Sequence, residues 1–226
     1  MAAYVAYAQR ILAEGKSFAL RALQVVLGDL VTSVARLKIR TVDDIGTAIR
    51  DREALFTRVI PPGGVGAELG VFKGTLSSFI LAANRPAKLH LIDPWFEMEP
   101  EWWWAQGDRS TVRALATLLL ALRESIESGQ VKVHVGWSVN VLSRFPDHYL
   151  DWAYVDSSHG YEETVRELSC LRLKVKPTGI IAGDDWVEDE AHPHHGVCKA
   201  VREFLVDHPE YELFFRQGVQ WALTLR

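Results

Sequence analysis

Along the first part of the chain the apolar positions Leu12, Leu20, Leu23, Val26, Leu27, Leu30, Val31 and Val34 recur at roughly three- and four-residue intervals. That spacing predicts helices from Ala2 to about Leu37, broken near Gly15. Shorter helices are expected over VDDIGTAIR, with Thr41 as N-cap, and over REALFTRV. Pro61-Pro62-Gly63-Gly64 then ends the helical pattern and separates a helical segment, residues 1–60, from a domain over residues 61–226. Beyond it, short apolar runs bounded by turn residues alternate with longer amphipathic stretches. The strands are VGAELG, KLHLID, VKVHVG, LDWAYVD and GIIAGDD. The helices are TLSSFILAAN, STVRALATLLLALRESIES, SVNVLSRF, YEETVRELSCLRLKV and HGVCKAVREFLVDH. Such alternation implies an α/β fold with a parallel sheet covered on both faces. The last runs, YELFFRQG and QWALTLR, flank a short glycine-containing turn, so a mostly parallel, seven-stranded sheet closes with an antiparallel hairpin.

Composition narrows the function classes. A chain of 226 residues, 48% of them apolar, suits one substantial core with an appendage. The net charge of -4, with acids and bases interspersed, offers no basic stripe, so no nucleic-acid partner is expected. Cys170 and Cys198 have neither CxxC nor histidine spacing, which argues against a disulfide framework or a zinc site and fits a cytoplasmic protein. Arg10, Glu14, Lys16, Arg21, Asp29 and Arg36 interrupt the N-terminal apolar stretches, so neither a membrane span nor a cleaved export signal is expected.

The first strand runs into GAELGVFKGTLSS, a turn with Glu68, Gly70 and Gly74. In open α/β sheets this turn borders the ligand crevice. Gly64-Val-Gly66 lacks a third glycine in register, so the dinucleotide fingerprint fails, and Glu68 would repel a phosphate. Asp93 ends the next strand, where a carboxylate accepts bonds from ribose hydroxyls. An adenosine that carries a positive charge and no pyrophosphate fits, and S-adenosylmethionine has those properties. The plainer alternative is that the glycines only permit close packing and that Asp93 serves a turn before Pro94.

With these residues in view, the chain from about Val65 to Arg226 resembles the class I S-adenosylmethionine-dependent methyltransferases, with ELGVFKG as the first motif and LHLID carrying the ribose acid. The resemblance implies a Rossmann-like, doubly wound fold. It places Glu68, Gly70, Phe72 and Gly74 around the methionine end, Asp93 on the ribose, and Gly136, Trp137 and Ser138 beside the adenine, with Asp156 at the edge of the cofactor site.

Asp156 ends the fourth strand, and Asp184 and Asp185 end the fifth. Three carboxylates on one rim repel one another unless a cation lies between them, and an all-oxygen set suits Mg²⁺ or Mn²⁺. The alternative is that some of them cap helices or face solvent. The trio resembles that of metal-dependent O-methyltransferases, closer to the sugar O-methyltransferases of macrolide and aminocoumarin biosynthesis than to the catechol type. The catechol type has Asp-Asn at the second site and a lysine three residues after the first acid, whereas this chain has Asp184-Asp185 and His159. A hydroxyl acceptor chelated at the metal would then lose its proton to His159, with Asp156 also catalytic. His192, His194 and His195 follow on the same rim, either as further contacts or as a turn-forming loop.

The aromatic run with Trp95, Phe96, Trp102, Trp103 and Trp104 reads either as a lid or as packing against the N-terminal helices or a second subunit. The N-terminal helices read as a cap or a dimer interface, so a homodimer or higher homo-oligomer is expected. The expected function is Mg²⁺-dependent O-methylation of a small hydroxylated metabolite. The alternatives are a metal-dependent hydrolase on an α/β sheet and a non-catalytic S-adenosylmethionine-binding protein.

Overall fold

Five short β-rich runs and a closing hairpin do form one sheet. In the computed structural model, which describes residues 50–95 and 111–226, the parallel strands are β1 (Val65–Leu69), β2 (Lys88–Asp93), β3 (Val131–Val135), β4 (Leu150–Val155) and β5 (Val175–Gly183). β6 (Tyr211–Gln217) and β7 (Gln220–Leu225) form the antiparallel hairpin, and β7 pairs antiparallel with β5. The strand order is β3-β2-β1-β4-β5-β7-β6. The helices are α1 (Thr75–Ala83), α2 (Thr111–Ala121), α3 (Arg123–Glu127), α4 (Ser138–Leu142), α5 (Tyr161–Lys174) and α6 (His195–Asp207). This is the mostly parallel sheet with a closing hairpin that the pattern predicts, in the Rossmann-like arrangement that the resemblance implies. The helices expected from Ala2 to Leu37, most of VDDIGTAIR, and the run from Phe96 through Trp104 lie outside the described residues.

Two boundaries differ from the sequence pattern. The single helix expected over residues 110–128 is divided into α2 and α3 at Leu122, which leaves helical geometry and is buried. β5 begins at Val175 rather than Gly179: Val175 pairs with Leu150, the register then shifts, and Ile180 faces Trp152. Pro177 falls in that irregularity, where the ladder does not require its missing N–H.

β4 shows why both faces are covered. Ala153 and Val155 enter one core with Leu168, Leu171 and Val201, while Trp152 and Tyr154 enter the other with Ile80 and Leu118. Side chains of a strand alternate between faces, so this apolar run must be buried twice. A helical turn over residues 50–54 continues into a π-helix, Leu55–Val59, on the second face. Phe56 lies 5.8 Å from Trp152 and 5.1 Å from Tyr154, ring to ring. The residues just before Pro61 therefore share the core of the domain that follows them. No helix among the described residues is long and apolar enough to cross a membrane.

The strand order reverses between β1 and β4, and the crevice of such a sheet lies beyond the carboxyl ends of those strands. The turns after β1, β4 and β5 all open there.

Candidate functional site

The turn after β1 is built on close approach. Gly70 has φ 83°, and a Cβ there would fall 2.0 Å from the Asp156 carbonyl oxygen, so the ends of β1 and β4 touch through this residue. Gly74, φ 77°, opens α1 beneath Leu118, whose Cδ1 would lie 2.8 Å from an added Cβ. Both glycines thus have packing reasons as well as a place beside the crevice. Between them, Phe72 is held at φ 52° by Asp93. Asp93 Oδ2 accepts from the Val71 and Phe72 amides at 2.9 Å each, and Oδ1 accepts from the Trp95 amide at 2.9 Å. Burial raises the Asp93 pKa, and these three backbone bonds oppose the rise. A carboxylate has about four acceptor positions, so the turn leaves room for one more donor. Trp95 is fully buried and donates from Nε1 to the Phe72 carbonyl at 2.8 Å. The first tryptophan of the aromatic run is therefore a prop beneath the turn.

Glu68 faces α1, where Ser77 Oγ donates to its Oε2 at 2.6 Å. Burial, against this hydrogen bond and with Asp156 adding to it, raises the Glu68 pKa to about 8. The Gly136 amide donates to the Asp93 carbonyl at 3.1 Å, which sets the loop after β3 beside the end of β2. Trp137 in that loop is 43% exposed, and Ser138 is buried at the start of α4. Glu68, Gly70, Phe72, Gly74, Asp93, Gly136, Trp137 and Ser138 thus lie in or at the ends of elements that border the adjoining turns after β1, β2 and β3.

The expected carboxylate trio is divided. Arg52 donates to Asp156 Oδ2 at 3.0 Å and also to Asp184 Oδ2. Asp184 Oδ1 accepts from Gln220 Nε2 at 2.5 Å and from the Asp185 amide at 2.9 Å, which occupies both oxygens of a buried side chain. Asp185, at φ 61°, points instead toward two imidazoles: His159 Nδ1 is hydrogen-bonded to Oδ2, and His194 Nδ1 lies 3.0 Å from Oδ1. The all-oxygen Mg²⁺ set of Asp156, Asp184 and Asp185 is not formed in this arrangement, because the Arg52 guanidinium bridges the first two and Asp185 turns toward His159 and His194. Arg52 carries the charge that the sequence alone assigns to a metal. Nothing near Arg52 in the sequence marks it, since its partners are 104 and 132 residues away.

Burial, with Asp184 and Asp185 adding and Arg52 and His159 opposing, raises the proton affinity of Asp156. Its Oδ1 accepts no hydrogen bond among the described residues and lies 3.9 Å from His159 Nδ1. Burial disfavours the charged His159, but the Asp185 hydrogen bond and the surrounding carboxylates prevail and raise its pKa to about 8. His159 therefore holds its proton near neutral pH, which does not suit the base role expected of it. For Asp185, burial is outweighed by His159 and His194, which hold its pKa well below the usual carboxylate range. Of the other two rim histidines, His195 Nδ1 donates to the Val187 carbonyl at 3.0 Å. His192 Nδ1 accepts from the His194 amide at 3.1 Å, so both are turn-forming.

Residues 67–186 match the profile of a family described as a methyltransferase domain. No curated protein sequence matches the chain. Among solved structures, the fold is similar to that of Aeropyrum pernix fibrillarin with natively bound S-adenosyl-L-methionine, at 14% identity and a TM-score of 0.53, covering 76% of this chain and 73% of that one. It is also similar to precorrin-6y C5,15-methyltransferase of Geobacter metallireducens, at 15% identity and a TM-score of 0.50, covering 83% and 89%. The chain spans 63% of the length of a Bacillus subtilis tRNA methyltransferase, with 76% of its own residues aligned, 13% identity and a TM-score of 0.49. Identities this low establish a shared fold and leave substrates to each protein.

Proposed function

The chain belongs to the methyltransferase-domain family, and on that premise we propose that it transfers a methyl group from S-adenosylmethionine to a hydroxyl oxygen of a small hydroxylated metabolite, such as a sugar or a natural-product scaffold. The observation that carries this reading is the contact of Gly70 with the Asp156 backbone, which brings the donor's turn and the acid that serves the acceptor into one crevice. The residues present fit the cofactor: Glu68 is a buried acid beside the turn, Asp93 keeps one acceptor position for a ribose hydroxyl, and Trp137, partly exposed in the loop whose Gly136 amide meets the Asp93 carbonyl, is available to an adenine. When bound, the sulfonium supplies an electrophilic methyl group.

The chain's own contribution is to orient the acceptor and take up its proton. Asp156 Oδ1 is the proton acceptor, because it accepts no bond among the described residues and its carboxylate has a raised proton affinity. Arg52 fixes the other oxygen, so Oδ1 has a defined direction. Glu68 gives the cofactor's cation a counter-charge as it releases its proton. Asp156 and Asp185 on the rim, together with a net charge of -4, oppose a phosphate backbone, which supports a small acceptor over RNA. The family match also sets the hydrolase alternative aside.

Calorimetric titration with S-adenosylhomocysteine, before and after chelation, tests the cofactor. Micromolar binding is expected, and absence of binding under every condition would overturn the reading. Tritiated methyl donor offered with hydroxylated sugars, phenols and an RNA transcript tests the acceptor. Label found only in RNA would remove the small-molecule assignment.

A further inference from the structure

We propose that His159, Asp185 and His194 form a binding site for a divalent first-row transition ion of the zinc or cobalt type. The three side chains come from the loop after β4, the end of β5 and the residue that caps α6, and one ligand atom from each lies within 4.8 Å of the others. Among the described residues no other group of three or more histidine, cysteine or acidic side chains converges in this way. The site differs from the one the sequence suggests. It keeps Asp185, replaces Asp156 and Asp184 with two imidazoles, and so changes a set suited to Mg²⁺ into one suited to transition ions. The cysteine spacing that argues against a zinc site bears on thiolates and leaves imidazole ligation open.

The surrounding structure holds these ligands in place. Ser157 Oγ donates to the buried Glu167 Oε2 at 2.8 Å, which ties down the loop that carries His159. Asp184 is fixed by Arg52 and Gln220, so its neighbour is presented from a rigid strand end. The His195 bond to the Val187 carbonyl and the His194 amide bond to His192 fix the start of α6. The His159 and His194 rings lie parallel within 12°, with centroids 4.6 Å apart. The ligand side chains remain 25%, 16% and 37% exposed, which gives an ion a path in and leaves coordination positions for water or a further oxygen. On the function proposed above, a second oxygen of the acceptor occupies such a position while its reacting hydroxyl faces Asp156 Oδ1. Ion binding itself does not depend on that function.

The test uses the full chain, stripped of metal and titrated with Co²⁺ by visible absorption and with Zn²⁺ and Mg²⁺ by calorimetry. One equivalent of Co²⁺ or Zn²⁺ is expected to bind, with a visible Co²⁺ band that excess Mg²⁺ leaves in place. His159→Asn, Asp185→Asn and His194→Gln should each weaken binding by more than about tenfold. Asparagine is compatible with the left-handed backbone at His159 and Asp185, and circular dichroism identifies any variant that fails to fold. Absence of Co²⁺ and Zn²⁺ binding by the wild-type chain would overturn the site. So would binding unchanged in all three folded variants, or a preference for Mg²⁺ that is lost in Asp184→Asn. Because no methyl transfer is read, failure here leaves the cofactor assignment standing, and failure to bind S-adenosylhomocysteine leaves the metal site standing.

Discussion

Asp184 accepts from Arg52, from Gln220 at 2.5 Å and from the Asp185 amide at 2.9 Å, whereas Asp185, one residue later, faces His159 and His194. The two carboxylates leave the same strand with the same charge. Asp184 is buried among donors that belong to the scaffold, so its charge is spent on structure. Asp185 turns at φ 61° toward the partly exposed imidazoles of His159 and His194, which can accept a metal, so its charge remains available for exchange. Asp156 stands between the two cases, with one oxygen held by Arg52 and the other unclaimed among the described residues. Acidic residues clustered at a sheet end are thus not interchangeable, and the number of fixed donors around each oxygen separates structural from chemical roles.

The largest effect is expected at Asp156. Asp156→Asn should reduce methyl transfer by about 10²- to 10⁴-fold, the usual range for loss of a general base. Its affinity for S-adenosylhomocysteine should stay within a few-fold, and single-turnover assays beside calorimetry separate the two. Turnover at the wild-type rate would remove Asp156 from the chemistry.

Asp184→Asn should instead act on stability, by about 2–4 kcal/mol, because it leaves Arg52 facing an amide in a buried network. Asp185→Asn should cost less than about 1 kcal/mol, since its side chain is partly exposed and asparagine tolerates its backbone. Urea unfolding of both variants measures the difference, and equal losses would erase the distinction drawn between the two residues.

Arg52→Ala follows with a loss of about 1–2 kcal/mol, discounted because the arginine side chain is 35% exposed. Its clearer signature is in the pH–rate profile. Arg52 lowers the proton affinity of Asp156, so its removal should move the acidic limb to higher pH, with activity lost sooner on acidification. An unmoved limb would show that Asp156 is not the titrating base.

The last effect is expected far from the rim, between β2 and β3, and leaves methyl transfer untouched. His90 Nδ1 lies 2.8 Å from His134 Nε2, and burial followed by neighbouring positive charges lowers both pKa values to about 4. Between that value and the unfolded value of about 6.5, the unfolded chain binds protons that the folded chain does not. Stability should therefore fall as pH drops through this window, by about 1–2 kcal/mol for the pair. Urea midpoints at about pH 7 and about pH 5 for wild type and His134→Gln check this, with a shallower dependence expected in the variant. Unlike the rim, this pair is a pH-sensitive element of stability alone.

The strands were legible because each carries its own local signal. LHLID and LDWAYV are short apolar runs buried on both faces, and YELFFRQG and QWALTLR are a hairpin around Gly218. The glycine turn was legible for the same reason, since Gly70 and Gly74 adopt positive φ within a few residues of the strand that ends there. Helix boundaries and the start of β5 were less so, because Leu122 and Pro177 take positions set by packing and register rather than by their neighbours in the chain.

Repulsion among Asp156, Asp184 and Asp185 calls for compensating charge, and which group supplies it depends on the side chains that arrive from elsewhere: Arg52 lies against two of the three. Local patterning determined the α/β sheet, the glycine turn and the acids at the strand ends, because periodicity and backbone preference act over a few residues. Only the tertiary structure decided that Arg52 claims Asp156 and Asp184, that Asp93 holds the turn, and that Asp185 meets His159 and His194. Those partnerships join residues brought together by the fold, where charge and hydrogen-bond geometry act through space.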